Sequence, residues 1–93
     1  MFTLALLAAM FSADDESVIV YTSKTCPPCR ALRRDFDEDP ELFGNRTVHF
    51  VDVDSKPVDG VRLVPTFVLI RDWKEVDRRT GYSGKDALQR WLK

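Results

Sequence analysis

The sequence predicts an α/β fold: a central four-stranded mixed sheet flanked by helices, with an extra apolar N-terminal segment. Three observations carry that expectation. Runs rich in β-branched and aromatic residues at 17–21, 47–53 and 65–70, with a shorter one at 75–80, have the composition and length of strands. Between the first two lies a stretch with Cys29, Leu32 and Phe36 at helical spacing, so those strands should be parallel, with a right-handed crossover. Between the last two stand only Asp72, Trp73 and Lys74, which is a hairpin connection.

The elements follow in order. Ser17 to Tyr21 is apolar on both faces, as a central buried strand should be. Thr22 to Thr25 form a short loop, and Cys26 opens a helix running to about Glu38 with Pro27 at its first position, where a missing N–H costs nothing. Arg30, Arg33, Arg34 and Asp37 fall off its sheet-facing side. Pro40 to Gly44 make an extra turn closed by the glycine. After the strand Thr47 to Val53, residues 55–63 contain Pro57 and Gly60 and have room for a helical turn or two, but no long helix. The third strand runs from Pro65 to Ile70 and the fourth from Glu75 to Thr80. A last helix begins at Gly84 or Lys85 and presents Ala87, Leu88, Trp91 and Leu92. Helices are expected on both faces of the sheet.

Length and composition bound the rest. Ninety-three residues, 44% hydrophobic and 31% charged, suit one globular domain with a single core. A formal net charge of -1 supplies no overall basic field, and no nucleic-acid motif is present, so nucleic acid is not an expected partner. The chain divides into an apolar segment, 1–16, and a domain, 17–93. Phe2 to Phe11 has Thr3 as its only polar member and is too short to span a bilayer. It has the length of a signal-peptide core, and Ser12-Ala13 offers small residues for cleavage. Against a signal, no Lys or Arg precedes the run and Phe11 occupies a place that prefers a small residue. The alternative is a retained helix packed on the domain or on a second copy. Location follows: exported or periplasmic if 1–13 are a signal, cytoplasmic otherwise.

The chain has two cysteines, Cys26 and Cys29, separated by Pro27 and Pro28. A disulfide between them closes so small a loop that it constrains the unfolded chain little, which points to chemistry rather than reinforcement. A cysteine at a helix N-cap can accept from the backbone N–H of the third helical residue, here Cys29, and the positive end of the helix dipole favours its thiolate. The thiolate is the form that attacks disulfides, so a lowered pKa is expected for Cys26. Cys29, one turn later and facing the core, is placed to attack a mixed disulfide on Cys26. The two prolines stiffen the loop and so alter the balance between dithiol and disulfide.

Lys24-Thr25-Cys26-Pro27-Pro28-Cys29-Arg30 follows a strand, and Val64-Pro65-Thr66-Phe67 stands just ahead of the hairpin. With Gly81, Ser83 and a following helix, this arrangement resembles the thioredoxin superfamily over about 17–93. The resemblance implies a thioredoxin fold and a thiol–disulfide oxidoreductase in which Cys26 attacks and Cys29 resolves. Thr25, Pro27 and Pro28 would form the active-site loop. Pro65 would be the superfamily's cis-proline, and Val64, Pro65 and Thr66 would contact an extended substrate segment. The sequence departs from typical thioredoxins at three places: Thr25 stands where tryptophan is usual, Val20 where the first strand usually carries a buried aspartate, and the connection before Pro65 is short. These lean towards a glutaredoxin-like or minimal thioredoxin. In glutaredoxins a lysine at the place of Lys24 helps to hold glutathione, although Gly81 to Asp86 match their Gly-Gly…Asp-Asp signature only loosely.

The resemblance implies protein disulfides as substrates, an unidentified reductase as electron donor, no organic cofactor, and glutathione as a possible co-substrate. It implies a monomer with no membrane span once any signal is removed. The alternatives are a glutathione-dependent, glutaredoxin-like reductase, or an interaction module with little redox activity. Two cysteines and one histidine fall short of the four ligands of a structural zinc site, so no metal is expected. Arg30, Arg33 and Arg34 read as a solvated helix face, with orientation of an acidic partner or anionic ligand as the rival reading. His49 reads as an ordinary sheet histidine, Asp52 and Asp54 as strand-end and turn residues, Trp73 as hairpin packing, and Trp91 and Tyr21 as core.

Overall fold

The computed structural model describes residues 16–93. Four strands, β1 (Glu16–Thr22), β2 (Thr47–Asp52), β3 (Thr66–Arg71) and β4 (Lys74–Thr80), form one sheet in the order β2-β1-β3-β4. Two helices, α1 (Pro27–Glu38) and α2 (Lys85–Leu92), follow β1 and β4. β1 is parallel to β2 and antiparallel to β3, and β3 and β4 make the hairpin. The apolar run at 2–11 lies outside the described residues. Glu16, the last residue of the segment 1–16, is the first residue of β1.

Register places Val18 and Val20 of β1 beside Val48 and Phe50 of β2 and opposite Leu69 and Phe67 of β3. These side chains share one face. Leu32 of α1, Leu42 and Phe43 of the turn after it, and Leu88 and Leu92 of α2 complete the core cluster on that face. Each large side chain fully buried there contributes about 1.5–3 kcal/mol. Phe36 joins the cluster through Phe43 and Phe50, with ring centroids 5.8 and 5.4 Å away. Both described helices therefore feed the same face. The expectation of helices on both faces is not met by residues 16–93, because the connection that would supply a helix to the other face is too short.

That connection, 53–65, contains turns and no helix. Lys56 N–H donates to Asp52 O at 3.2 Å and Val61 N–H to Val58 O at 3.3 Å, and neither bond is propagated. Pro57 and Gly60 sit where a second helical turn would have to form. Helix α1 stops at Asp39 (φ -133°, ψ 85°), the residue before Pro40, where the proline ring disfavours helical backbone. The hairpin loop is two residues rather than three. Asp72 and Trp73 have φ of 53° and 68°, and Arg71 already pairs with Lys74, as a type I′ turn requires. The tip has no layer above it, so Trp73 is 95% exposed instead of packing on the hairpin. Val76 is a bulged residue, since Leu69 pairs with Asp77 and Ile70 with Glu75.

Glu16 is the one mostly buried carboxylate of the described chain. Arg46 Nε donates to its Oε1 at 2.8 Å and Arg71 Nε to its Oε2 at 2.7 Å. Arg46 also donates to the carbonyls of Phe43 (3.1 Å) and Leu92 (2.8 Å), tying the end of α2 to the sheet edge. Burial works against the charge on Glu16, but hydrogen bonds and charge from Arg71 and Arg46 outweigh it and hold the carboxyl below its ordinary 4.5. Stability from this pairing is therefore present above pH 4.5 and lost as pH falls through the lower folded value. Glu16→Gln should lower the unfolding free energy at pH 7 by about 1–3 kcal/mol. The difference from the parent chain should shrink as denaturation is repeated at pH values below 4.5.

Candidate active site

The site lies where the C-terminal ends of β1 and β2 meet the N-terminal ends of α1 and β3. The turn out of β1 is held from the neighbouring strand. Ser23 Oγ donates to Asp54 Oδ2 at 2.8 Å, and Lys24 N–H to the same oxygen at 3.2 Å. Thr25 N–H donates to Ser23 Oγ at 3.3 Å, and Cys26 N–H to Ser23 O at 3.3 Å. Parallel pairing of Thr22 with Asp52 brings Asp54 beside this turn. The roles of Ser23 and Asp54 were not visible in sequence. Both are ordinary turn residues, and their partnership spans 31 positions.

Cys26 is the N-cap of α1, with φ -93° and ψ 112°, and its Sγ accepts from Cys29 N–H at 3.2 Å. Pro27 and Pro28 fill the first two helical positions, so Cys29 carries the first free helical N–H after the cap. Cys26 and Cys29 are joined as a disulfide with Cα atoms 5.2 Å apart. Cys26 keeps 9% exposure and Cys29 4%, so the first cysteine is the more exposed of the two.

The Val64–Pro65 peptide bond is cis. The Val64 carbonyl oxygen lies 3.5 Å from Cys26 Sγ. An oxidised sulfur has no proton to give, so in this state the approach is a contact rather than a hydrogen bond. Pro65 and Thr66 are buried and locked: Thr66 Oγ1 donates to Leu63 O at 2.6 Å, and Gly81 N–H to Pro65 O at 2.8 Å. Half-buried Val64 is left with backbone facing the disulfide. Lys24, Thr25, Pro27 and Pro28, on either side of Cys26 in the chain, are exposed.

Beside Cys29, on the β2 side, opens a hollow of about 470 Å³. Cys29 and Phe50 form its apolar part, Lys24, Arg30 and Arg33 its cationic wall, and Thr22, Ser23 and Asp52 the remainder. The Arg33 guanidinium carbon sits 4.5 Å from the centre of the Phe50 ring, a cation–π distance. Val20 is fully buried between Phe50 and Phe67 in register, so β1 gives Cys29 no nearby carboxylate. Tyr82 donates to Asp35 Oδ2 at 2.5 Å, joining the segment after β4 to α1. Burial and then this bond push the Tyr82 hydroxyl far above its ordinary 10.0. Among the described residues no group of His, Cys, Asp and Glu is placed to hold a metal ion, and no helix is long and apolar enough to cross a membrane.

Residues 5–93 match the thioredoxin family. The chain belongs to the thioredoxin family. A thioredoxin of Chlamydia caviae is 31% identical over 86 residues, covering 88% of this chain and 84% of that protein. Thioredoxin H4 of Arabidopsis thaliana is 33% identical over 81 residues, covering 82% and 68%. The crystal structure of Fasciola hepatica thioredoxin superposes with a TM-score of 0.70 at 27% identity, over 96% of this chain and 88% of that one. The four-stranded mixed sheet with its helices is a thioredoxin fold, and the protein is a thiol–disulfide oxidoreductase. The hollow lined by Phe50 and the three cations is a feature that local sequence did not disclose.

Because Asp54 anchors the turn before Cys26, Asp54→Ala should cost about 0.5–1.5 kcal/mol in a chemical denaturation curve. It should also broaden the amide resonances of Ser23 to Thr25 relative to those of β1.

Proposed function

We propose that this thioredoxin reduces disulfides in client proteins, with Cys26 attacking and Cys29 resolving. The observation that carries the reading is the Cys26 sulfur at the mouth of α1, accepting from Cys29 N–H at 3.2 Å beside the Val64 carbonyl. Hydrogen bonding and the helix dipole both favour the thiolate there. That thiolate attacks one sulfur of a client disulfide, forming a Cys26–client bond and releasing the other client sulfur as a thiolate. Cys29, once deprotonated, attacks Cys26 Sγ, expels the second client thiolate and leaves the Cys26–Cys29 disulfide. The two electrons gained by the client come from the two cysteines, so the cycle needs no organic cofactor. A dithiol reductase must return them.

Val64 supports the client role by position: its peptide backbone borders the reacting sulfur, with Pro65 and Thr66 fixed behind it by the bonds to Gly81 and Leu63. An extended segment pairing with Val64 would carry its cysteine to Cys26. The family match begins at residue 5, which supports residues 5–15 as part of the domain and a reductant of the compartment where the chain is made. N-terminal sequencing of the natural protein reads this directly: a new terminus near Ala13 would place the enzyme outside the cytoplasm instead.

In an insulin-reduction assay Cys26→Ser should fall to the uncatalysed rate. Cys29→Ser should accumulate a client-linked species on a non-reducing gel, because nothing resolves it. In the reduced protein Cys26 should alkylate at pH 7 faster than an unstructured thiol, and Cys29 more slowly. Equal, slow alkylation of both would sink the reading.

A further inference from the structure

The cationic wall beside Cys29 is not needed for the exchange chemistry, and it is out of keeping with the chain's charge. The sequence carries 15 acidic against 14 basic residues, yet Lys24, Arg30 and Arg33 gather on one hollow at the disulfide. Along α1 the basic residues come first: Arg30, Arg33 and Arg34 precede Asp35, Asp37 and Glu38. Lys24 and Arg30 are exposed and form no ion pair among the described residues. Arg33 has only a distant 3.9 Å approach to Asp37, both side chains more than half exposed, and its guanidinium lies over Phe50. Stacking there holds the cation over the hollow.

The one anion in the hollow is already engaged. Asp52 Oδ1 accepts from Asp54 N–H at 2.9 Å and its Oδ2 from Ser55 Oγ at 3.2 Å, both in the turn after β2. Those bonds come from neutral donors and leave the Asp52 charge in place, so the lining carries three cations against one carboxylate. Position matters as well. The sheet order β2-β1-β3-β4 puts the hollow on the β2 side of Cys26 and the Val64–Pro65 loop on the β3 side. A client segment lying across Cys26 would touch both, backbone on one side and side chains over the hollow on the other.

We infer that Lys24, Arg30 and Arg33 form a specificity site selecting client protein segments that carry Asp or Glu close to the reacting cysteine. The inference rests on the client-disulfide reading above and adds the chemistry of the preferred segment. Complementary charge around an exposed site acts mainly through encounter rate and through rejection of like-charged partners, so it should appear in kcat/KM and weaken with salt.

The test uses three disulfide-containing peptides of one length, with Asp, Ser or Lys flanking the cysteine, reduced by the full chain. Reduction of the Ser peptide reports the exchange reaction alone, so failure there overturns the client reading rather than this one. With that reaction present, kcat/KM at low ionic strength should be about 10-fold higher for the Asp peptide than for the Lys peptide, shrinking to within about 2-fold at 0.5 M salt. In the double variant Arg30→Glu/Arg33→Glu the order should invert. Each preference is a ratio measured on one preparation, so a lower folded fraction in the variant cancels. Equal kcat/KM for the Asp and Lys peptides in the parent chain, or an order unchanged in the variant, would overturn the inference.

Discussion

A sulfur at the N-cap of a helix is useful only if the strand-to-helix turn cannot move, and here that turn is held from the adjacent strand. Asp54, just past β2, accepts from Ser23 Oγ and Lys24 N–H, and Ser23 in turn accepts from Thr25 and Cys26 N–H groups. The parallel β1–β2 pairing is thus part of the active site. It sets the height at which Asp54 meets the turn, and through it the direction in which α1 leaves the sheet. Everything that follows, from the Cys29 N–H aimed at Cys26 Sγ to the hollow between α1 and β2, inherits that register.

The second half of the site comes from the other side of β1. β3 is antiparallel to β1, so its first residue, Thr66, reaches the same edge of the sheet at which β1 ends. The Val64–Pro65 bond therefore lies beside Cys26, although the two are 38 positions apart. The bonds from Thr66 Oγ1 to Leu63 O and from Gly81 N–H to Pro65 O fasten that loop to β4 as well as to β3. A reactive sulfur between two fastened loops suits a reaction in which a large partner must arrive, exchange a bond and leave.

The minimal character of the domain has a physical cost that the structure meets in specific ways. With no helix in the connection 53–65, both described helices crowd one face, and the aromatic set Phe36, Phe43, Phe50, Phe67, Tyr82 and Trp91 fills the space between them. The end of the sheet where β1 begins and β3 finishes is held by the Glu16–Arg46–Arg71 cluster, which trades the desolvation of one carboxylate for four hydrogen bonds reaching the end of α2. Val20, fully buried, keeps that part of the interior apolar.

The sequence by itself determined what depends on near neighbours. Cys26 as the cap of a helix opened by Pro27, the turn closed at Gly44, the strand composition of β1 and β3, and the apolar stripe of α2 are all written within a few residues of where they act. Local composition also misled where no partner exists: Trp73 sits on a bare type I′ tip. Only the tertiary structure decided what depends on register. Glu16 meets Arg46 and Arg71 only through the fold, and Arg33 read as a solvated charge until Phe50 came beneath it. Asp54 read as a turn residue until β2 carried it to Ser23. The reason is range: capping and periodicity are set by the next few residues, whereas a charge or a ring acquires its meaning from partners far along the chain that meet only in the fold.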